Sequence, residues 1–540
     1  MAEGYDLRVR VGIPKIMSKQ ELAIESTSIA GIWRRVDSLW VRLINSQSAA
    51  VLGLAVFLIT LAVLLMYRPF NRAEIGDQAT WDYIAQSIVR GELPYRDVIA
   101  NKAPAAGYFS ALAIALGKLI GMRDVMAIRL FAVLLAGVLS TLTYLVTEAY
   151  LQSRIAALIA FLIPLMTGRF DEWMTGGTEP KLLMMVFGML TLWLIAQDKP
   201  FLAGLCSMIS CLAWQPGLLF TGTAFLVFSR YLTSWRDLRA LKVASGAAIP
   251  LAALIGYFGL HRAIGDLWFW TMTFNYGVYA PATSRTMTDS LSHMVNLFLR
   301  VFEADVAIVV FSVVGYSAYF FRQVRARLRR RDGLSSPELF RDGLLIAPGV
   351  YFLFCLVNLQ AGPDLIPLFP FIGIFTGLLL VESSRRVARR YTKLEDLDPW
   401  LPRVALMVVL ALSVSRGAIN WFTPMLTLQQ QDKEFAVVSA LLGPEEKLYV
   451  HGTLELLVLL NRPNLNQYVF LDRGKDEYVA SFKEGGIEAW IDEIESQAPK
   501  IVALSRLKKV VHREALMRWV EGQYQSLELP GYEEIYVRKP

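Results

Sequence analysis

The sequence predicts a polytopic α-helical membrane protein, with about eleven transmembrane helices ahead of a small C-terminal extracytoplasmic α/β domain. Three observations predict it. Of the 540 residues 55% are hydrophobic and only 19% charged, and the mean hydropathy is +0.42. Apolar runs of roughly 17–25 residues recur, the length that a bilayer's hydrocarbon core requires. They must be helical, because lipid offers exposed backbone groups no partner. The loops between them alternate in charge, as membrane topology demands.

Residues 1–48 are polar and basic, with Arg8, Arg10, Lys15, Lys19, Arg34, Arg35 and Arg42. No cleavable signal peptide shows at the start, so the first span, about 49–67, is expected to act as an uncleaved signal-anchor with its basic flank in the cytoplasm. Further spans are expected at about 125–147, 153–168, 180–196, 200–214, 216–232, 243–260, 305–321, 344–360, 365–382 and 401–421. Charge parity supports the count, because even-numbered spans should end at basic cytoplasmic loops. Arg154 follows the second, Lys199 the fourth, and Arg236, Arg239 and Lys242 the sixth. The eighth runs into RQVRARLRRR (322–331) and the tenth into SRRVARR (384–390). The opposite loops hold Asp77, Asp171, Glu172, Glu179, Asp266, Asp305 and Asp364.

This divides the chain into a cytoplasmic segment 1–48, a transmembrane domain 49–424 and an extracytoplasmic domain 425–540. Two outer loops, 68–124 and 261–304, are too long for simple turns, and long ordered loops tend to carry function. In the first, Trp81, Ile84, Ala85 and Ile88 share one face of a short helix that Gly91 is placed to end. Such a helix is expected to lie along the membrane surface. The second is rich in aromatics (Trp268, Phe269, Trp270, Phe274, Tyr276, Tyr279), as expected at headgroup level. Beyond 425, strand-like runs at 447–450, 467–470, 500–504 and 534–537 alternate with helical stretches at 484–498 and 511–524, the pattern of a small α/β domain.

Several function classes are excluded. Cys206, Cys211 and Cys355 all sit in apolar spans, with neither metal spacing nor a disulfide framework. The net charge of +7 resides in inter-span loops, so it is no footprint for nucleic acid. No G-x-G-x-x-G or Walker loop argues for a nucleotide. The four histidines, His261, His293, His451 and His512, form no H-E-x-x-H pair, and no G-x-S-x-G elbow occurs, which argues against a metal- or serine-dependent hydrolase.

Candidate chemistry concentrates in 76–104, GDQATWDYIAQSIVRGELPYRDVIANKAP, a polar stretch in a greasy chain. Asp77 stands where a helix N-cap is expected, held in one orientation with an oxygen to spare for a substrate proton. Arg129 lies about one turn inside a span, where a charge is costly unless it snorkels or is paired. With Lys102 it is expected to form a cationic pocket for a phosphate, which Arg262 and Arg285 could join. Asp171, Glu172 and Glu179 flank the turn-rich GRFDEWMTGGTEP, a solvated loop or a hydroxyl-binding site. The sequence identifies no cofactor. A divalent metal is left open, since carboxylates alone are a weak metal signature.

These residues resemble the first outer loop of the GT-C glycosyltransferases, nearest to bacterial members akin to protein O-mannosyltransferases and lipid A aminoarabinose transferases. The likeness rests on Asp77–Gln86, then Gly91-Glu92-Leu93-Pro94-Tyr95-Arg96-Asp97, then Asn101-Lys102-Ala103-Pro104. Arg129 matches the arginine near the outer end of the family's second span. Thr178-Glu179-Pro180 resembles its second acidic position, and 363–370 its proline-rich late span. Gln78 stands in place of the loop's second acid, Trp81 of its tyrosine and Ala103 of its first proline. Asp77, helped by Glu179, must then supply the carboxylate chemistry.

The resemblance implies a sugar donor on a polyprenyl phosphate, with the phosphate on Lys102 and Arg129. Trp81, Tyr83, Tyr95, Asp171, Glu172 and Glu179 are then candidates for sugar or acceptor contact, and the acceptor is a lipid, glycan or protein. Asp77 would take the acceptor proton during inverting attack, the base half of inverting glycosidase logic. The implied setting is a bacterial inner membrane, among membrane lipids and without nucleic acid. The competing class is a transporter or lipid flippase. No repeat of two halves and few mid-span charges support that class.

Overall fold

Apolar runs that keep their backbone hydrogen bonds within the segment fold as helices, and each of the eleven expected spans is helical. The computed structural model describes residues 47–540 apart from 230–236, 281–284, 330–335, 391–399, 453, 470, 472–474, 506, 508–509 and 530–533. All but the last two residues of the expected basic N-terminal segment lie outside the described residues.

In chain order the helices of the first part are Ala49–Met66 (α1), Gly76–Val89 (α2), Ala105–Leu119 (α3), Asp124–Leu151 (α4), Arg154–Leu165 (α5), Gly168–Thr175 (α6), Pro180–Ala196 (α7), Pro200–Ala213 (α8), Leu218–Ser229 (α9), Arg239–Leu260 (α10) and Ile264–Trp268 (α11). After two π-wound turns, Phe269–Thr273 and Asn275–Tyr279, come Met287–Phe302 (α12), Val306–Arg329 (α13), Ser336–Asn358 (α14), Phe369–Arg390 (α15) and Leu401–Phe422 (α16).

Among the described residues five helices are long and apolar enough to cross a bilayer alone: α1, α4, α10, α16 and α15 with its leading turn from Gly362. The pair α6 and α7, bent by 104°, makes a sixth if it is one broken span. The other expected spans fall on shorter or more polar helices. α5 and α8 have 12 and 14 residues, about 18–21 Å of helix against a hydrocarbon core of about 30 Å. Most of α5 is buried among neighbouring helices, whereas α8 leaves Phe201 and Leu202 exposed. Glycine brings α8 and α10 together. A Cβ on Gly204 of α8 would lie 2.0 Å from the Val243 carbonyl oxygen of α10, and one on Gly246 of α10 would lie 2.0 Å from that of Phe201. Only small residues let backbones approach so closely.

α2 forms where its periodicity indicates and gives way to Gly91, at φ 93°. It does not lie on a lipid surface, however, because every residue from 79 to 87 is buried. One side meets α3, and the other meets the C-terminal part, where Gln86 Nε2 donates to the Val458 carbonyl (3.1 Å) and the Tyr83 hydroxyl accepts from Asn464 N–H (2.8 Å). The C-terminal part opens with Leu428–Leu441 (α17), then Leu448–His451 (β1), Glu455–Leu460 (α18), Lys475–Phe482 (α19), Gly486–Ser496 (α20), Ile501–Leu504 (β2), Arg513–Gln523 (α21), Tyr524–Ser526 (β3) and Ile535–Arg538 (β4). The sheet order is β1-β2-β4-β3, with β1 and β2 parallel and the other pairs antiparallel.

Three of the four expected strands fall on β1, β2 and β4. Of the stretch expected at 467–470, the described residues 467–469 do not join the sheet, because the loop after α2 takes main-chain groups there. Ile99 N–H donates to the Gln467 carbonyl (2.7 Å), and Val469 N–H donates to that of Ile99 (3.3 Å). A single apolar core joins Ala79, Trp81 and Ile84 of α2 to Leu448, Val450, Leu457 and Ile501. The C-terminal part is thus packed onto the polar loop where the candidate chemistry lies.

Candidate active site

α2 begins two residues earlier than an N-cap role for Asp77 requires. Its N-cap is Ile75, without a side-chain hydrogen bond, and Gly76 N–H is taken by Glu455 Oε1 at 2.7 Å. Asp77 therefore sits in the first turn, where the helix dipole favours a negative charge. It lines a cavity of about 570 Å3.

Six parts of the chain meet around that cavity. α2 and its following loop give Asp77, Trp81, Asn101 and Lys102, and the first turn of α7 gives Lys181. The break between α8 and α9 gives Trp214 and Gln215, and the π-wound segment gives Trp270, Phe274, Asn275 and Tyr279. α14 and the turn after it give Val350, Phe354 and Asp364; the C-terminal part closes the cavity with Tyr468 and Lys475. Leu218, Leu219, Val350 and Phe354 make one stretch of lining apolar.

Two cations stand with Asp77. The Lys102 ammonium lies 4.4 Å from the centre of the Trp81 ring, and its backbone carbonyl accepts from the Tyr95 hydroxyl at 2.7 Å. Burial, and then the positive charge of Lys181, lower Lys102 to about 8, against the opposing pull of Glu179, Asp77 and Asp364. Lys181 is 3.2 Å from Asp364 Oδ1, 3.7 Å from Glu179 Oε2 and 5.2 Å from the Trp214 ring centre. Asp364 is itself fixed, its Oδ2 accepting from Gln360 N–H and Ala361 N–H at 2.9 Å each. Asn275 Nδ2 donates to the Asn101 carbonyl at 2.5 Å, tying the Lys102 loop to the π-wound wall.

The structure brings Asp77, Trp81 and Lys102 together and places Glu179 one contact behind Lys181. It does not bring Arg129 to the cavity. That side chain is fully buried, with its guanidinium 2.7 Å from Glu74 Oε2 and bonded to the carbonyls of Pro69 (3.1 Å) and Arg72 (2.5 Å). The charge inside the span is paired, not snorkelling. Arg262 is exposed at φ 53°, and Arg96 grips its carbonyl (2.6 Å). Arg285 donates to the Leu359 carbonyl at 2.8 Å. Neither lines the cavity.

Tyr83 and Tyr95 lie behind the wall. Tyr83 holds Asn464, and Tyr95 holds the Lys102 carbonyl. The segment 168–179 is not a solvated loop. Asp171 is fully buried in α6, and Glu172 pairs with Arg169 (3.0 Å) and Arg72 (3.5 Å). Gly177 is needed there, because its φ of 153° is a conformation that other residues rarely adopt, and it faces Asp82. Burial, with Glu74 adding to it, pushes the Asp82 carboxyl well above the usual range. Among the described residues no group of three or more His, Cys, Asp or Glu side chains could hold a metal ion.

Sequence reasoning missed Lys181, Asp364 as its partner, Trp214 and Lys475. The signal for Lys181 was its place directly after Thr178-Glu179-Pro180, at the head of an apolar run. A cation there reads as a headgroup anchor.

With a small α/β part packed onto a cation-lined cavity in a helical membrane domain, the chain has the fold of solved structures of ArnT and of an archaeal oligosaccharyltransferase. ArnT from Cupriavidus metallidurans in the apo state matches with a TM-score of 0.61 at 13% identity, over 91% of this chain and 98% of that one. The same protein bound to undecaprenyl phosphate gives 0.60 at 13%, over 90% and 97%. The archaeal oligosaccharyltransferase AglB from Archaeoglobus fulgidus, with an inhibitory peptide and a dolichol-phosphate, gives 0.51 at 14%, over 90% and 74%. By sequence alone, no family model and no curated protein matches.

Proposed function

We propose that the protein is an inverting glycosyltransferase. It moves a sugar from a polyprenyl-phosphate carrier to an acceptor hydroxyl, at the extracytoplasmic face of a bacterial inner membrane. The observation that carries this reading is the cavity itself, where Asp77, Lys102 and Lys181 share one space with an apolar stretch of lining from α9 and α14. The undecaprenyl phosphate of ArnT and the dolichol-phosphate of AglB are ligands of the same chemistry in the same fold. The alternation of basic and acidic loops supports an extracytoplasmic site.

The prenyl tail lies along the apolar stretch, and the donor phosphate sits on Lys102 and Lys181. The acceptor hydroxyl attacks the anomeric carbon from the face opposite the phosphate, and its proton passes to Asp77. The bond from the anomeric carbon to the phosphate oxygen breaks, and its electron pair stays on that oxygen. A singly charged phosphodiester thereby becomes a doubly charged monoester. Fixed cations at that point favour the departing state over the bound one, which accelerates the step.

Purified protein incubated with an undecaprenyl-phosphate-linked sugar and a membrane lipid extract should release free undecaprenyl phosphate. Asp77→Asn should abolish the release while donor binding and folding persist. Normal turnover in that variant removes Asp77 from the mechanism.

A further inference from the structure

Two ammoniums that share one cavity repel each other, and the positive charge of Lys181 does act on Lys102. A lysine stem is flexible, so the position of Lys102 depends on how firmly its backbone is held. The carbonyls on both sides of it are gripped. Its own carbonyl accepts from the Tyr95 hydroxyl (2.7 Å), and the Asn101 carbonyl accepts from Asn275 Nδ2 (2.5 Å) and Gln215 Nε2 (3.1 Å). Tyr95 belongs to the same loop. Gln215 comes from the turn 214–217 between α8 and α9, more than a hundred residues further on.

That turn is rigid. Trp214 N–H donates to the Ser210 carbonyl (3.2 Å), and Gly217 N–H donates to that of Trp214 (2.8 Å). Pro216 fixes its own φ, and a Cβ on Gly217 would lie 2.4 Å from the Ser210 carbonyl oxygen, so the turn sits directly on the end of α8. Trp214 is extended, at φ −154° and ψ 131°, and neighbouring side chains on an extended chain point to opposite sides. Adjacent residues thus serve the two lysines. The Trp214 ring centre lies 5.2 Å from the Lys181 ammonium, and the Gln215 amide holds the peptide ahead of Lys102. Trp214 is itself wedged against Tyr351 and Phe354 of α14, at 6.3 and 6.0 Å between ring centres.

We infer that Gln215 is a positioning residue for the donor: from the turn that sets Trp214 against Lys181, it fixes Lys102 at the spacing that one phosphate bridges. This deepens the reading of the two lysines as the donor-phosphate site and rests on it. Like charges held together in advance are preorganised for an anion, so little ordering is left to be done when it binds.

The test is a double-mutant cycle, read by undecaprenyl phosphate titration of full-length protein in detergent with tryptophan fluorescence as the readout. Gln215→Met keeps the length of the side chain and removes the donor. At pH 7 it should weaken binding about tenfold in the wild-type background but less than about twofold in Lys102→Met, because it acts through that lysine. Gln215→Glu, with the same shape and no N–H, should behave alike. At pH 9 the Lys102 amine, lowered to about 8, is mostly neutral, so wild type and Gln215→Met should converge. Asn275→Leu removes the other side-chain donor to the same carbonyl, and it should show the same pattern where a Gln215 variant fails to fold.

Unchanged affinity in Gln215→Met overturns the inference. So does an equal loss in the Lys102→Met background or at pH 9, which would show a general loosening of the cavity. Full affinity in Lys102→Met, or failure of the wild type to bind undecaprenyl phosphate, strikes the donor-site reading itself and takes the inference with it.

Discussion

Arg129 separates a structural role from a phosphate-binding one, and its replacement by methionine tests the difference. The substitution keeps most of the buried stem and removes the guanidinium. Glu74 loses its partner at 2.7 Å, and the carbonyls of Pro69 and Arg72 lose a donor. Breaking a fully buried ion pair from one side costs about 3–5 kcal/mol. Glu74 can escape part of this by taking up a proton, which for an ordinary carboxyl at pH 7 costs about 3 kcal/mol. A carbonyl left without a donor adds about 1–3 kcal/mol.

Together these put Arg129→Met at about 4–6 kcal/mol below wild type at pH 7. The deficit has a pH signature. Burial raises the folded-state carboxyl of Glu74 to about 7 even against the pull of Arg129, and removing the guanidinium raises it further, so above pH 7 the folded variant holds a proton that folded wild type releases. The deficit should therefore shrink as the pH falls from 9 to 7 and level off below that, and Glu74→Gln added to Arg129→Met should recover about 2–3 kcal/mol. The assay is thermal unfolding of full-length protein in detergent, paired with undecaprenyl phosphate titration of the folded fraction. A variant as stable as wild type that binds undecaprenyl phosphate tenfold more weakly would refute the reasoning and return Arg129 to the donor site.

Three further outcomes are expected. Lys102 is lowered to about 8, so undecaprenyl phosphate affinity should fall about tenfold between pH 7 and pH 9 as the ammonium deprotonates, while Lys102→Arg stays flat across that range. Gly204→Val should separate α8 from α10, because its Cβ would meet a backbone carbonyl at 2.0 Å, and should lower the melting temperature well beyond the effect of Gly222→Ala, where the space is open. His451 is fully buried and lowered to about 4 by that burial, against an unfolded value near 6.5. The unfolded chain thus binds the extra proton between those values, and about 2 kcal/mol of stability should be gone by pH 5. Hydrogen exchange at β1 and β2 should show that loss, and His451→Phe should lack it.

Much of the fold was legible because apolar runs are local. A stretch such as AAVLGLAVFLITLAVLLM declares its own helix, and loop charges declare its direction. Helix length was less legible: α5 and α8 are as apolar as the longer helices but have 12 and 14 residues. At the site, Asp77 and Lys102 could be read from one continuous loop.

Lys181 could not be read in that way, because Asp364 and Trp214, which hold it, come from distant parts of the chain. Arg129 misled for the same reason. Its partner Glu74 stands 55 residues away, and nothing local marks it as buried. The strand expected at 467–470 has the right composition but pairs with Ile99 instead of the sheet, a choice that only tertiary packing makes.

The most direct measurement is a cryo-electron microscopy map of the full-length protein in nanodiscs with undecaprenyl phosphate bound. The phosphate should lie within about 4 Å of the Lys102 and Lys181 ammoniums, inside the cavity that Asp77 lines, with the prenyl tail along Leu218, Leu219 and Phe354. A phosphate seated elsewhere on the protein, with Asp77 remote from it, would contradict the account.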